Sequence, residues 1–262
     1  MVNKPKYYEI PKYEQLFTSE KQHDYCVAIF VINEGEKLHK QLQRMKNSNL
    51  NVDVIISDGG STDGSTDNQT LKDLGVNTLL VKKENGKLGS QMRIAFAWAI
   101  EKGYQGIITI DGNNKDSVES INNFVGKLKL GYDHIQGSRF IPGGKAINTP
   151  RSRLLGLKLL HVPMMRLASG FKYTDTTNGF RAYSKKLLLA NSMAVFRDVF
   201  TSYEFHYYLA IEAVKQGYKC IEIPVTRTYP KGKVPTKISP IKGNLNIIKT
   251  LIFTSMGGYN VK

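Results

Sequence analysis

Four short stretches of the chain hold the residues best suited to chemistry: Asn33-Glu34, Asp58-Gly59-Gly60-Ser61-Thr62-Asp63-Gly64-Ser65, Asp111-Gly112-Asn113-Asn114-Lys115-Asp116 and Gly137-Ser138-Arg139-Phe140. A carboxylate in a glycine-rich turn, such as Asp58, can accept hydrogen bonds from a base N–H or a ribose hydroxyl, and the glycines let ligand and backbone approach closely. Asp111 and Asn113 stand two residues apart, so both oxygens can face one point. That suits a hard divalent cation, Mg²⁺ or Mn²⁺, which also holds a diphosphate. Arg139 can neutralise a phosphate with a fork that matches its oxygens. Each stretch also has a plainer reading. Asp-Gly loops are turns that use Asx chemistry, and Arg139 alone reads as a solvated surface residue. Other nucleotide devices are missing. Nothing matches GxxxxGK[ST], and VINEGEK carries one glycine where a dinucleotide fingerprint wants three. His134, His161 and His206 are scattered and form no HExxH or comparable cluster.

These residues need elements to position them. Tyr25–Ile32, Val52–Ser57, Asn77–Val81, Gly106–Ile110 and Tyr132–Gln136 read as strands, and Glu36–Lys46, Gly89–Lys102 and Asp116–Leu130 as helices. The alternation predicts an α/β fold with a mostly parallel sheet flanked by helices. Ligands of such sheets bind beyond the carboxyl ends of the strands, where all four stretches fall. In the second half, Arg151–Ser169 reads as a basic amphipathic helix kinked at Pro163. Gly179–Tyr183 reads as a strand, Ser202–Gln216 as a helix and Lys219–Tyr229 as one strand. Ser239-Pro240 reads as the cap and first turn of a last helix beginning at Ile241.

With these motifs in order, the sequence resembles a family 2 glycosyltransferase of the GT-A fold, most similar to the polyprenyl-phosphate branch that includes dolichol-phosphate mannose synthase. The resemblance runs from about Tyr25 to Ile238. FVINEGEKL resembles the opening sugar-nucleotide motif, which implies nucleotide-sugar contacts for Phe30, Ile32 and Glu34. IISDGGSTDGS resembles the base-binding turn, with Asp58 at the nucleobase. GSQMRIAFAWA resembles the following helix, whose Arg93 approaches the nucleotide. IITIDGNNKDS stands where the family carries its metal-binding DxD, so Asp111 and Gly112 join the donor site, and Asp111 with Asn113 holds the metal. QGSRFIPGG, DTTNGFRAYS and EIPVTRTYPKGKVPTKI resemble acceptor-side segments. They imply that Arg139, Arg181, Arg151 or Arg153, and Lys237 form the acceptor-phosphate region. Three positions depart from the family pattern. Asn113 replaces the second Asp of DxD and brings no charge, Gly59 replaces the second Asp of DDGSTDG, and Arg93 lacks the usual spacing to an upstream Lys.

The resemblance implies inverting transfer from a UDP- or GDP-linked sugar to a polyprenyl phosphate. A phosphate acceptor is already ionised near neutral pH, with a second pKa of ~6, and needs cations rather than a base. If the acceptor were a saccharide hydroxyl, Glu204 would be the candidate base; as a carboxylate at a helix N-terminus it has a dipole-favoured reading too. A nucleotidyltransferase would want a Gly-rich, basic loop after the first strand, which VINEGEK is not.

Composition narrows the classes further. Of 262 residues, 41% are hydrophobic and 23% charged, which suits a globular chain able to bury a core. The net charge of +15 is concentrated: His134–Thr174 and Ile223–Lys262 each hold seven Lys/Arg and no acid. Both lie on the acceptor half, so the anionic partner reads as a lipid phosphate and an anionic membrane surface rather than nucleic acid. Cys26 and Cys220 read as buried thiols in a reducing compartment. The polar first 24 residues lack a signal sequence, and no run approaches the ~18 apolar residues of a span. The expected organisation is an N-terminal extension (1–24), a GT-A domain (25–238) and a basic amphipathic C-terminal helix (239–262). The expected location is cytoplasmic, peripheral on the inner face of the membrane. The last helix has two readings, packed on the domain or lying in the membrane interface. The sequence leaves the oligomeric state open.

Overall fold

The computed structural model describes residues 4–232 and 242–261. Its centre is an eight-stranded sheet. The strands are β1 (Tyr13–Thr18), β2 (Tyr25–Val31), β3 (Asp53–Asp58), β4 (Thr78–Lys82), β5 (Gly106–Asp111), β6 (His134–Ser138), β8 (Arg181–Ser184) and β9 (Cys220–Pro224), and a separate pair joins β7 (Lys145–Ile147) to β10 (Thr226–Thr228). The order is β1-β4-β3-β2-β5-β8-β6-β9. Strands β4, β3, β2 and β5 run parallel, β6 and β9 are parallel to each other, and β8 lies antiparallel between β5 and β6. The α/β expectation with a mostly parallel sheet therefore holds.

The central strands are apolar on both faces because helices cover both. On one face α3 (Leu88–Glu101) and α8 (Glu204–Lys215) bury Phe96, Trp98, Tyr208 and Leu209 against Ala28 and Ile107. On the other, α1 (Glu36–Asn47) and α4 (Ile121–Lys129) bury Leu38, Leu42, Phe124 and Leu128 against Ile29, Ile56 and Ile110. α2 (Asn68–Asp73) and α7 (Lys185–Leu189) are short connections. A third cluster unites Met165, Tyr173, Tyr207, Ile211 and Leu251 beneath α9 (Lys242–Ser255).

Four sequence expectations need correction. The 1–24 segment is not a mere extension: β1 pairs antiparallel with β4 and forms the sheet edge. Its residues are mostly exposed, as an edge strand permits, so it lacks the apolar run that marks the others. Lys219–Tyr229 is two strands, because the chain leaves β6 after Pro224 and re-pairs with β7; proline offers no ladder N–H there. Arg151–Ser169 is α5 (Arg151–Gly156), a π-turn at Leu157–His161 and α6 (Val162–Ser169). The wider turn lies just ahead of Pro163 and accommodates its missing donor. The α4 region opens with a 3₁₀ turn at Val118–Ser120 rather than at Asp116. The Ser239-Pro240 cap and Lys237 lie outside the described residues.

Candidate active site at the carboxyl edge of the sheet

The carboxyl ends of β2, β3, β5 and β6 open on one edge. Because β8 runs antiparallel, the loop before it, Asp175–Gly179, arrives there as well. Sheet topology thus places Asp58, Asp111 and Arg139 on the same rim as a segment far away in sequence.

The donor side is a hydrogen-bonded knot between two loops. Asp58 accepts from Ser61 N–H at 3.0 Å and from Ser61 Oγ at 2.6 Å. Ser61 Oγ in turn accepts from Asn33 N–H, and Asn33 Oδ1 from Thr62 N–H at 2.8 Å. Gly35 N–H donates to Asp63. Asp58 is buried in its Asx turn and Glu34 is half-buried, while Ile32 is exposed at the end of β2. Gly59 N–H donates to Val31 O, and a Cβ on Gly59 would stand 3.3 Å from that oxygen and from Gln91 Nε2. A side chain there would have to move these neighbours by a few tenths of an ångström, which glycine avoids. Phe30 departs from its expected role, since its ring packs into the core and only its carbonyl, accepting from Gly112 N–H at 3.3 Å, supports the rim.

Arg93 also departs. It is buried, and donates through Nε to Phe200 O at 3.1 Å and through Nη1 to Glu9 O. It ties the N-terminal segment to the loop before α8. Glu204 accepts from the N–H groups of Thr201 and Ser202, and so closes the start of its own helix. This is the cap-like reading rather than a free base. Tyr203 beside it is 38% exposed and lies within electrostatic reach of Asp111 and Arg153.

Asp111 is the centre of the rim. Its side chain is 35% exposed, and its Oδ2 meets Arg227 Nη2 at 3.1 Å and Asn113 Nδ2 at 3.3 Å. A Cβ on Gly179 would stand 3.2 Å from Asp111 Oδ1, so glycine there keeps that oxygen clear. Arg227 also pairs with the wholly buried Asp116. Burial opposes the charge of Arg227, but Asp116 and Asp111 outweigh it and hold the guanidinium pKa well above its ordinary range. Asn113 Oδ1 and Asp116 Oδ1 are buried without a hydrogen-bond partner among the described residues. Among the described residues no three His, Cys, Asp or Glu side chains converge as a metal site. Asp111 and Asn113 still fit a cation that takes its other ligands from a diphosphate, because Asn113 presents an unclaimed oxygen beside the carboxylate.

Beyond Asp111 lies a cationic wall. Arg139 is 5% exposed and bonds Asp175 through Nε at 2.6 Å and Nη2 at 2.9 Å, with Thr177 Oγ1 at 3.0 Å from Nη2. Burial works against its charge and Asp175 more than restores it. Around the buried Tyr229 ring stand Lys115 Nζ at 5.3 Å, Arg153 Cζ at 5.4 Å and Arg227 Cζ at 5.7 Å from the centroid. Burial raises the phenol, but Arg227 and Arg139 win and leave its pKa below the usual value. Burial and then Arg227 lower the Lys115 ammonium. Arg151 is exposed on α5. Sequence reasoning missed Lys115, Arg227 and Tyr229 as site residues. They meet only because β10 hydrogen-bonds the loop after β5, with Thr228 N–H donating to Lys115 O at 2.8 Å and Ser117 N–H to Thr226 O at 2.9 Å.

Arg181, expected at a phosphate, is 1% exposed and spends its donors on the carbonyls of Asn178, His206 and Thr176 at 2.8–3.0 Å. It braces the Asp175–Gly179 loop from inside. Beside it, burial and then Arg181 push His134 down to about 3 and His206 well below the ordinary histidine value. The unfolded chain binds protons on both near pH 6.5, and the folded chain does not. Their contribution to stability is therefore complete above about pH 6.5 and is lost as pH falls from there toward 3. The urea midpoint is expected to drop between pH 7.5 and pH 5, less steeply in His134→Gln. A flat midpoint over that range would contradict two neutral interior histidines.

The glycosyl transferase family 2 profile matches residues 26–191. The polyprenol monophosphomannose synthase of Mycolicibacterium smegmatis is 27% identical over 205 residues, 77% of this chain and 76% of that protein. The undecaprenyl-phosphate mannosyltransferase of Micrococcus luteus is 28% identical over 197 residues, 74% of this chain and 79% of that protein. Among solved structures, glucosyl-3-phosphoglycerate synthase from Mycobacterium tuberculosis in complex with UDP superposes with a TM-score of 0.60 at 15% identity, covering 89% of this chain and 80% of that one. The same synthase with Mg²⁺ and UDP gives 0.59 at 16% identity, covering 89% and 79%. The matched profile spans the knot around Asp58, the Asp111 rim and the Arg139–Asp175 pair, and with it the chain belongs to glycosyl transferase family 2 and is a glycosyltransferase.

Proposed function

We propose that this chain transfers a sugar, with inversion, from a nucleoside diphosphate sugar to a polyprenyl phosphate at an anionic membrane surface. The observation that carries the reading is the asymmetry around Asp111. Lys115, Arg153 and Arg227 line one side, and Glu204, the one base the sequence offered, is engaged by its own helix start. A hydroxyl acceptor requires a base. A phosphate monoester requires cations that hold it in line while a second anion departs. The two relatives named for polyprenyl and undecaprenyl phosphate chemistry support the same acceptor. Asp58 and Glu34 face the nucleoside in this reading. Asp111 and Asn113 would hold the divalent cation, which when bound neutralises the departing diphosphate.

α5, α6 and α9 support the membrane side of this reading. α6 and α9 bury Met165 and Leu251 in one small core. The stretch from α5 through α6 exposes Leu155, Leu159 and Leu167, and α9 with the turn after it exposes Leu245, Ile252, Phe253 and Met256. Arg151, Lys158 and Lys249 are exposed among them, and each cation near an anionic leaflet contributes about 1 kcal/mol. No helix among the described residues is long and apolar enough to cross a membrane. The test supplies labelled UDP- and GDP-sugars with undecaprenyl phosphate in phosphatidylglycerol vesicles. Label is expected in an acid-labile lipid phosphodiester, with the enzyme sedimenting on these vesicles and not on phosphatidylcholine. Label passing to a soluble saccharide and none to lipid would overturn the reading.

A further inference from the structure

We infer that Lys115 is a phosphate-binding residue, held over Tyr229 so that its ammonium and the Arg153 guanidinium form one anion subsite beside Asp111. The inference rests on the transfer reading for its substrates and on this chain's own charge pattern for its site.

The cations on this rim are not equally satisfied. Arg139 has Asp175, and Arg227 has both Asp111 and Asp116. Lys115 and Arg153 have no carboxylate within ion-pair distance among the described residues, although both are within 5.4 Å of the centroid of the same buried ring. Like charges gathered around one ring repel, Asp111 answers them without an ion pair to Lys115, and a half-buried ammonium has lost part of its hydration. The ring face of Tyr229 offsets a part of that cost. A bound anion would offset the rest.

The backbone makes the arrangement rigid. Lys115 O accepts from Thr228 N–H, Tyr229 N–H donates to Ile147 O at 3.0 Å, and Tyr229 O accepts from Asn148 Nδ2 at 3.1 Å. Lys115 and Tyr229 are therefore held together by the chain itself and not by side-chain contact alone. The loop also carries an amide, Asn113, bonded to Asp111, and so adds no second negative charge to this rim. With the amide in place the subsite keeps a net positive field. A phosphate oxygen supplies the charge that Asn113 does not.

Two sources can supply that phosphate: the acceptor lipid or the donor's diphosphate. Kinetics of Lys115→Met distinguish them, with Lys172→Met as the control for general surface charge, since Lys172 is exposed in the same basic half. The expected result is about a tenfold rise in KM for one phosphate-bearing substrate, with Lys172→Met within twofold of the parent chain. A rise confined to the polyprenyl phosphate assigns the subsite to the acceptor. A rise in donor KM, with an equal rise in the inhibition constant of UDP or GDP, assigns it to the diphosphate. Tyr229→Leu, which removes the ring beneath both cations, should reproduce the Lys115→Met defect. Neither KM moving beyond twofold in Lys115→Met, or the same change in Lys172→Met, overturns the inference. Calorimetric titration with inorganic pyrophosphate separates it from the transfer reading. If no donor and acceptor pair turns over but pyrophosphate binding weakens about tenfold in Lys115→Met, the subsite stands and the transfer reading falls. If pyrophosphate binding is also unchanged, both fall.

Discussion

Asp111→Ala is expected to lower kcat/KM by about 10²–10³-fold while leaving the melting temperature close to that of the parent chain. The two halves of this expectation have separate causes. Asp111 is the partly exposed carboxylate at the end of β5, with Oδ1 kept open by Gly179, so its removal takes away the charge around which the diphosphate and its cation would gather. The fold loses little, because Arg227 keeps its deeper partner Asp116 and a partly exposed ion pair contributes little to stability. Asp111→Asn refines the test. It keeps an oxygen in place and removes the charge, as Asn113 already does two residues on, so a loss near that of alanine would identify charge as the needed property. Steady-state kinetics beside a thermal melt decide the matter. A kcat/KM within tenfold of the parent chain would remove Asp111 from the centre of the site.

The parts of the molecule that were legible in the sequence share one property: each is local. Strands β2, β3 and β5 are apolar runs that lead to Asn33, Asp58 and Asp111, and a run followed by a polar turn can be read without knowing what lies beside it. The Asp58 turn is likewise written in consecutive residues, with Ser61 three positions on. Edge strand β1 was not legible because Glu14 and Gln15 face water and leave no apolar period. Motif position misled for Arg93 and Arg181. Both stand in segments that resemble substrate motifs, and both are turned inward, where a guanidinium with five donors suits irregular loops whose carbonyls would otherwise go unpaired. The charge of an arginine is visible in sequence, but the direction of its side chain is set by tertiary packing. Lys115, Arg227 and Tyr229 failed for the opposite reason. More than a hundred residues separate Lys115 from the other two, and only the pairing of β10 with β7 and with the loop after β5 brings them together.

Arg139→Met is expected to cost about 3–5 kcal/mol of stability, because it leaves the wholly buried Asp175 charged without its partner. For a chain of this size that corresponds to a fall in melting temperature of roughly 10 °C. Lys172→Met, a change of the same charge at an exposed position, should leave the melt unchanged. The sequence reading assigned Arg139 to the acceptor phosphate. The structure gives its Nε and Nη2 to Asp175 and Thr177, and only Nη1 takes no part in those bonds. The double variant Arg139→Met/Asp175→Leu separates pairing from substrate contact, since removing both buried charges should recover most of the melting temperature. If turnover returns with it, Arg139 acts by fixing the loop that ends at Gly179 against Asp111. If stability returns and turnover does not, Nη1 reaches the phosphate. An Arg139→Met melt as high as that of Lys172→Met would mean that the buried pair carries no stability, and would overturn the account of this wall as a braced structure.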